Sequence, residues 1–323
     1  MSAEADFIAA LRALATSPAA RGLRDDAAVL EFGGARLVLT HDMIVEGVHF
    51  LATDPPGDVA WKLVAVNLSD LAAKGARPIG LLLGFTLAGD SDWDAGFVRG
   101  LEQACVHFGA PLLGGDTVTA PARTLGLTAI GEATRAPSRA GAEAGDTLWV
   151  SGTIGDGHAG LRAALGQIDA PALLRRYRRP EPRLAAGQAL APSVSAMMDV
   201  SDGLLIDAAR MAEASRARVE IMLDHVPLSR DYARILGDDR TARIAAATGG
   251  DDYELLFAAP AAAAAQIQAL AESLGLPFTA IGRIAAGSGL GLGYQGEPVA
   301  LPARLGYQHG GPNASLESSG FGS

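Results

Sequence analysis

The chain has 323 residues, 49% of them hydrophobic and 19% charged, which excludes a disordered or fibrous protein and gives length enough for two lobes. Its 26 basic and 36 acidic residues leave a net charge of −10, which argues against a protein that coats nucleic acid or an anionic membrane. A single cysteine, Cys105, excludes a disulfide framework and any cysteine-rich zinc or iron–sulfur site.

Residues 3–15 carry the spacing of an amphipathic helix, with neither the basic start nor the long apolar run of a signal peptide. No stretch reaches about 18 uninterrupted apolar residues, so no membrane span and a cytoplasmic location are expected. Segments 27–32 and 35–40, joined by Gly33-Gly34, predict a β-hairpin. A helix is predicted over 58–74 with Gly75 as its stop, then a buried strand from Pro78, then a helix over 92–108 closed by Gly109. PLLGGD and TLGLTAIGEA (residues 124–133) add two strands, and the pattern restarts after Gly145 with TLWVSG, a glycine-spaced loop and a helix. The strand AMMDV (196–200), a helix over 204–216, the strands RVEIML, YELLFAAP and FTAIGRI, and an alanine-rich helix over 261–274 complete a second lobe. The fold class expected is mixed α/β in two lobes, residues 1–137 and 138–309, followed by a disordered tail over 310–323.

Aspartates recur at the ends of apolar segments: Asp42, Asp70, Asp116, Asp199, Asp202, Asp251 and Asp252, with Asp25 and Asp26 just before a strand. Any one of them could be a turn or helix-cap residue. Together they would repel one another at the ends of buried elements unless a cation neutralises them. With oxygen ligands only, the cation should be hard, Mg²⁺ by default, and it would let an acidic protein hold phosphates. Neither a GxxxxGK[ST] loop nor the protein-kinase signatures occur. Lys62 and Lys74 share one helical pattern and read as a solvated face or a helix C-terminus, which leaves Arg139 as the best-placed phosphate contact.

Taken together, DDAAVL (25–30), THDMIVEGVHF (40–50), VNLSDLAAKGARP (66–78), LLGGDT (112–117), RAGAEAGD (139–146), VSGTIGDGHAGL (150–161), DVSDGLLID (199–207) and GGDDYELLF (249–257) resemble the thiamine-monophosphate kinase family of the aminoimidazole-ribonucleotide-synthetase-like superfamily. They occur in family order over roughly residues 22–309. The resemblance implies ATP-dependent phosphorylation of thiamine monophosphate with several Mg²⁺ ions. It also implies a homodimer paired through the N-terminal lobes.

Carried over by motif, Asp25, Thr40, Asp42, Asp70, Asp116, Asp199 and Asp202 are the implied metal ligands. Gly115, Asp116, Arg139 and Ser201 are the implied ATP contacts, and His49, Asp251 and Tyr307 the implied substrate contacts. Asp42, Asp70, Asp116 and Arg139 would carry the transfer itself. The acceptor phosphate is already ionised near neutral pH, with a second pKa of about 6, so direct transfer without a general base or covalent intermediate is expected. The chain departs from the family pattern at Arg24, His41, Glu143 and Gln308. A synthetase-like ligase and an inactive nucleotide- or cation-binding regulator are the alternative readings.

Overall fold

The computed structural model describes residues 3–308, so the tail expected over 310–323 lies outside the described residues. After helix α1 (Ala3–Arg12), strands β1 (Ala28–Phe32) and β2 (Ala35–Val45) form the predicted hairpin. Both of its turn residues, Gly33 and Gly34, take the positive φ values of 59° and 85° that a tight two-residue turn needs. Helix α2 (Pro56–Ala73), strand β3 (Arg77–Leu87), helix α3 (Ser91–Phe108), and strands β4 (Leu112–Thr119) and β5 (Thr124–Glu132) follow. They build a five-stranded sheet in the order β1-β2-β5-β3-β4, in which only β3 and β4 run parallel.

The second sheet has seven strands in the order β12-β11-β8-β10-β6-β9-β7. They are β6 (Asp146–Ser151), β7 (Ala196–Val200), β8 (Arg218–Met222), β9 (Glu254–Pro260), β10 (Phe278–Ala285), β11 (Gly289–Tyr294) and β12 (Glu297–Val299). Side-chain alternation splits its apolar residues between two cores. Leu148, Met198 and Leu256 pack on one face with α7 (Leu204–Ser215), whereas Trp149, Met197 and Phe257 pack on the other with α10 (Ala264–Leu274).

Helices α4 (Asp156–Ala164), α5 (Pro171–Arg178), α6 (Leu184–Leu190), α8 (Arg230–Leu236) and α9 (Arg240–Thr248) complete the chain. No helix among the described residues is long and apolar enough to cross a membrane.

Helix α2 decides how the lobes meet. Every residue from Val59 to Ala73 is buried, because the helix packs on β2 and β5 of the first sheet and on α6 and β7 of the second lobe. Of the two lysines read as a solvated face or a helix C-terminus, Lys74 does cap the C-terminus of α2, yet both are buried, Lys62 at 3% and Lys74 at 0% exposure. Each is held by carboxylates, which is the condition under which a charge tolerates burial.

Candidate active site

Three carboxylates from distant parts of the chain converge beneath α2. Oxygens of Asp26, Asp70 and Asp199 all lie within 4.8 Å of one another. Asp70 is on α2, Asp199 near the end of β7, and Asp26 just before β1, so the cluster draws on both lobes. Thr40 on β2 donates its hydroxyl to Asp70. The backbone N–H of Asp42, two residues further along the same strand, donates to Asn67 Oδ1 at 2.9 Å. Asn67 and Asp70 are three apart and so share a face of α2.

Crowding of like charges in a dry place raises their affinity for protons. Burial, with the charges of Asp26 and Asp202, pushes Asp42 up to about 6. Burial and the Asp26 charge push Asp199 up to about 8, against the hydrogen bond from Ser69. Asp70 lies well above the ordinary carboxylate range through burial and its neighbours Asp42 and Asp199. A donor set of converging buried oxygens, with neither sulfur nor imidazole among the three, fits a hard divalent cation.

Asp25 is held differently from its neighbour Asp26. Its two oxygens lie 2.5 Å from Lys74 Nζ and 2.5 Å from Arg21 Nη1, and its side chain is 1% exposed. Burial opposes ionisation there, but Lys74 and Arg21 outweigh it and lower the group to about 2. Asp25 is thus paired with two cations, while its neighbour Asp26 places an oxygen in the cluster. Lys74 also reaches Asp26 Oδ2 at 2.7 Å, and the Arg139 guanidinium pairs with the other Asp26 oxygen.

The loop after β7 is held by a residue that motif reading missed. Asp207 Oδ2 accepts the amides of Ser201 at 3.1 Å and Asp202 at 3.2 Å, while Arg210 bridges Asp207 and Asp202. The Asp202 carbonyl accepts the Tyr307 amide at 2.9 Å, which brings this C-terminal aromatic to the same loop. The Asp251 amide donates to the Ser201 carbonyl and the Tyr253 amide to Val200, both at 2.8 Å. Asp251 and Tyr253 hold φ at +70° and +53°, a costly conformation for side chains of this kind that concentrates at functional sites.

At the other end of the site, His49 Nδ1 accepts the Val45 amide at 3.1 Å. The neutral ring then carries its hydrogen on Nε2. The Asp251 carboxylate lies 3.0 Å from Lys62 Nζ through one oxygen and accepts Tyr253 Oη at 3.0 Å through the other.

Gly115 and Asp116 stand apart from this constellation. Following the register from Asp42 through Leu127 and Leu83 to Gly115 crosses three strand spacings, about 14 Å. Asp116 is exposed on β4, and its carboxylate accepts the Thr117 amide. A Cβ at Gly115 would lie 1.9 Å from the Leu83 carbonyl oxygen, so only glycine allows β4 to lie against β3 there. His41 leaves the cluster too: its ring meets Thr128 Oγ1 at 2.9 Å and is exposed, while its strand neighbours Thr40 and Asp42 turn inward.

A family described as AIR synthase related protein matches over both of its parts, the N-terminal domain at residues 24–133 and the C-terminal domain at residues 143–295. The thiamine-monophosphate kinase of Caulobacter vibrioides is 43% identical over 304 residues, 91% of this chain and 86% of that protein. The chain belongs to the thiamine-monophosphate kinase family. A crystal structure of thiamine-monophosphate kinase from Stenotrophomonas maltophilia K279a aligns at a TM-score of 0.77 with 39% identity, covering 91% of this chain and 96% of that one. A family member described as AaThiL complexed with AMPPCP and TMP aligns at 0.81 with 30% identity, covering 94% and 96%. The two-lobed mixed α/β fold expected from the sequence is the fold of these kinases.

Proposed function

We infer that this chain transfers the terminal phosphoryl group of ATP to thiamine monophosphate, giving thiamine diphosphate and ADP. The observation that carries the reading is the buried group of Asp26, Asp70 and Asp199, assembled from both lobes in a chain of this family. Those three would hold Mg²⁺, with Thr40, Asp42 and Asp202 beside them. The metal supplies neutralisation of the charge on the transferred and accepting phosphates.

The chain's own groups do the positioning. Arg139, whose guanidinium pairs with Asp26 at the cluster, would turn toward a nucleotide phosphate. Ser201 is fixed by Asp207 at the rim of the same loop. His49 presents an Nε2–H donor suited to the substrate phosphate, and Asp251 and Tyr307 border the thiamine end. The acceptor oxygen needs no base, because a phosphate monoester is ionised at neutral pH. Alignment and charge neutralisation supply the catalysis.

A second copy completes the assembly in this reading. The outer face of the first sheet exposes Met43 at 52% and Leu82 at 39%, with Val118 of the edge strand β4 at 55%. Apolar surface of this kind marks an interaction face. We place the expected contact of Gly115 and Asp116 with ATP across that dimer, since within one chain they stand too far from Asp42. The lobe boundary is set at residues 137 and 138, between β5 and β6, and the reaction in the cytoplasm, as composition suggests.

The test is incubation of the purified protein with ATP, Mg²⁺ and thiamine monophosphate. Thiamine diphosphate and ADP formed in equal amounts are expected. ATP binding without product would replace the kinase by the inactive regulator, and ADP and phosphate formed only when an amide substrate replaces thiamine monophosphate would replace it by the ligase.

A further inference from the structure

Lys62 stands outside every role assigned above, yet it touches both residues expected to grip the substrate. It lies on α2 in the N-terminal lobe with a 3% exposed side chain. Its ammonium donates to the His49 carbonyl at 3.1 Å and to Asp251 Oδ2 at 3.0 Å, and sits 3.9 Å from the centre of the Tyr177 ring. An ammonium has three donors. Two carry these hydrogen bonds and the third side faces the ring, so no donor is left over for a ligand. The arrangement is a three-way joint: His49 comes from the turn after β2, Asp251 from the strained loop before β9, and Tyr177 from α5. Tyr177 in turn donates to Asp54 Oδ2 at 3.4 Å, and that same oxygen accepts the Leu51 amide at 2.9 Å. The joint is therefore also anchored to the segment that follows His49.

We propose that Lys62 is a positioning residue for thiamine monophosphate, setting the distance between His49 and Asp251 and cancelling the Asp251 charge toward the substrate phosphate. The proposal rests on the kinase reading. Without the ammonium, the Asp251 carboxylate held in place by Tyr253 would still attract the cationic thiazolium but would also repel the substrate phosphate that His49 is expected to hold. The lobes would also lose a direct tie between the two substrate residues. The carboxylates expected to act with ATP, Asp26 and Asp70, are not among the groups that Lys62 contacts.

The experiment is steady-state kinetics of Lys62→Met and Lys62→Arg with each substrate varied in turn. Lys62→Met should raise KM for thiamine monophosphate at least about thirtyfold, the lower end for a buried charge left unpaired, with KM for ATP within about twofold of wild type. Lys62→Arg, which keeps the charge beside Asp251, should recover most of that loss. Tyr177→Leu, which removes the ring beneath the ammonium together with the hydroxyl bond to Asp54, should raise KM for thiamine monophosphate by at least about threefold, the range of one cation–π contact, and decides the matter if Lys62→Met does not fold. Equal rises in both KM values, or an unchanged KM for thiamine monophosphate, would overturn the proposal while leaving the kinase reading intact. A wild-type chain that makes no thiamine diphosphate would overturn both.

Discussion

Ser69 donates its hydroxyl to Asp199 Oδ2 at 2.7 Å, across 130 positions of sequence. One residue sits on the central helix of the N-terminal lobe and the other on a strand of the C-terminal lobe, so the acidic cluster exists only when the lobes are docked. Its neighbour on that helix, Asp70, brings the second carboxylate. Site assembly and lobe packing are in this way the same event.

Asp70→Asn tests whether that carboxylate serves chemistry or packing. Asp70 is pushed well above the ordinary carboxylate range by burial and like-charged neighbours, so the neutral amide imitates the state favoured without metal. Turnover should fall by at least about 100-fold, the scale of losing one preorganised electrostatic group. Thermal stability without metal should stay level or rise. Unfolding of this variant would make Asp70 structural.

The two adjacent aspartates should separate cleanly. Asp25→Asn removes the buried partner of Lys74 and Arg21 and should cost about 3 kcal/mol of stability by denaturant titration. Asp25 is lowered to about 2, so its contribution is present above the ordinary carboxylate pKa and is lost as pH falls from about 4 to about 2. Asp26→Asn should instead raise the Mg²⁺ concentration for half-maximal activity at least about tenfold, as losing a metal ligand does. Reversed phenotypes would restore Asp25 as the ligand.

Metal and pH should be linked through the raised carboxylates. Burial and like charges put Asp42 at about 6, Asp207 at about 7 and Asp199 at about 8. A raised native pKa stabilises below the unfolded value and loses that contribution as pH rises through the native one. The metal-free protein should therefore melt at lower temperature near pH 8.5 than near pH 5.5. Added Mg²⁺ should raise the melting temperature more at the higher pH, and its binding should release protons measurable by calorimetry. A metal effect larger at the acid end would contradict the assignment.

Much of this was legible in the residues. The hairpin around Gly33-Gly34, the helix closed by Gly109 and the strand AMMDV announce themselves through turn chemistry and apolar runs. So do Asp42, Asp70 and Asp199, which end such runs. Lys74 does stand at the helix C-terminus that the spacing predicts, but the burial of Lys62 and Lys74 depends on the other lobe, and helical spacing cannot report a surface that two lobes supply together. The choice between Asp25 and Asp26 was equally hidden, because adjacent carboxylates differ only in which cations reach them. Asp207, four residues after Gly203, carried one usable signal: an acidic residue in the first turn of a helix, facing the amides before it. Helix α5 went unseen because RRYRR reads as polar chain, whereas in the fold its arginines are spent on Glu254, Asp54 and Asp58.

The exposed sheet face should hold a second copy. Met43 and Leu82 flank the exposed His41–Thr128 pair in the register of β2, β5 and β3. The double variant Met43→Asp with Leu82→Asp should sediment as a monomer where the unaltered chain sediments as a dimer. Activity should fall with dissociation if Asp116 acts across the interface. A monomeric wild-type protein with full activity would remove the dimer from the account.

The most direct measurement follows the label from [γ-³²P]ATP in the presence of Mg²⁺ and thiamine monophosphate. The account predicts one labelled terminal phosphate on thiamine diphosphate for each ADP formed, and no labelled protein at any time. Labelled protein that chases into product, or label released only as inorganic phosphate, would contradict direct transfer at the carboxylate cluster.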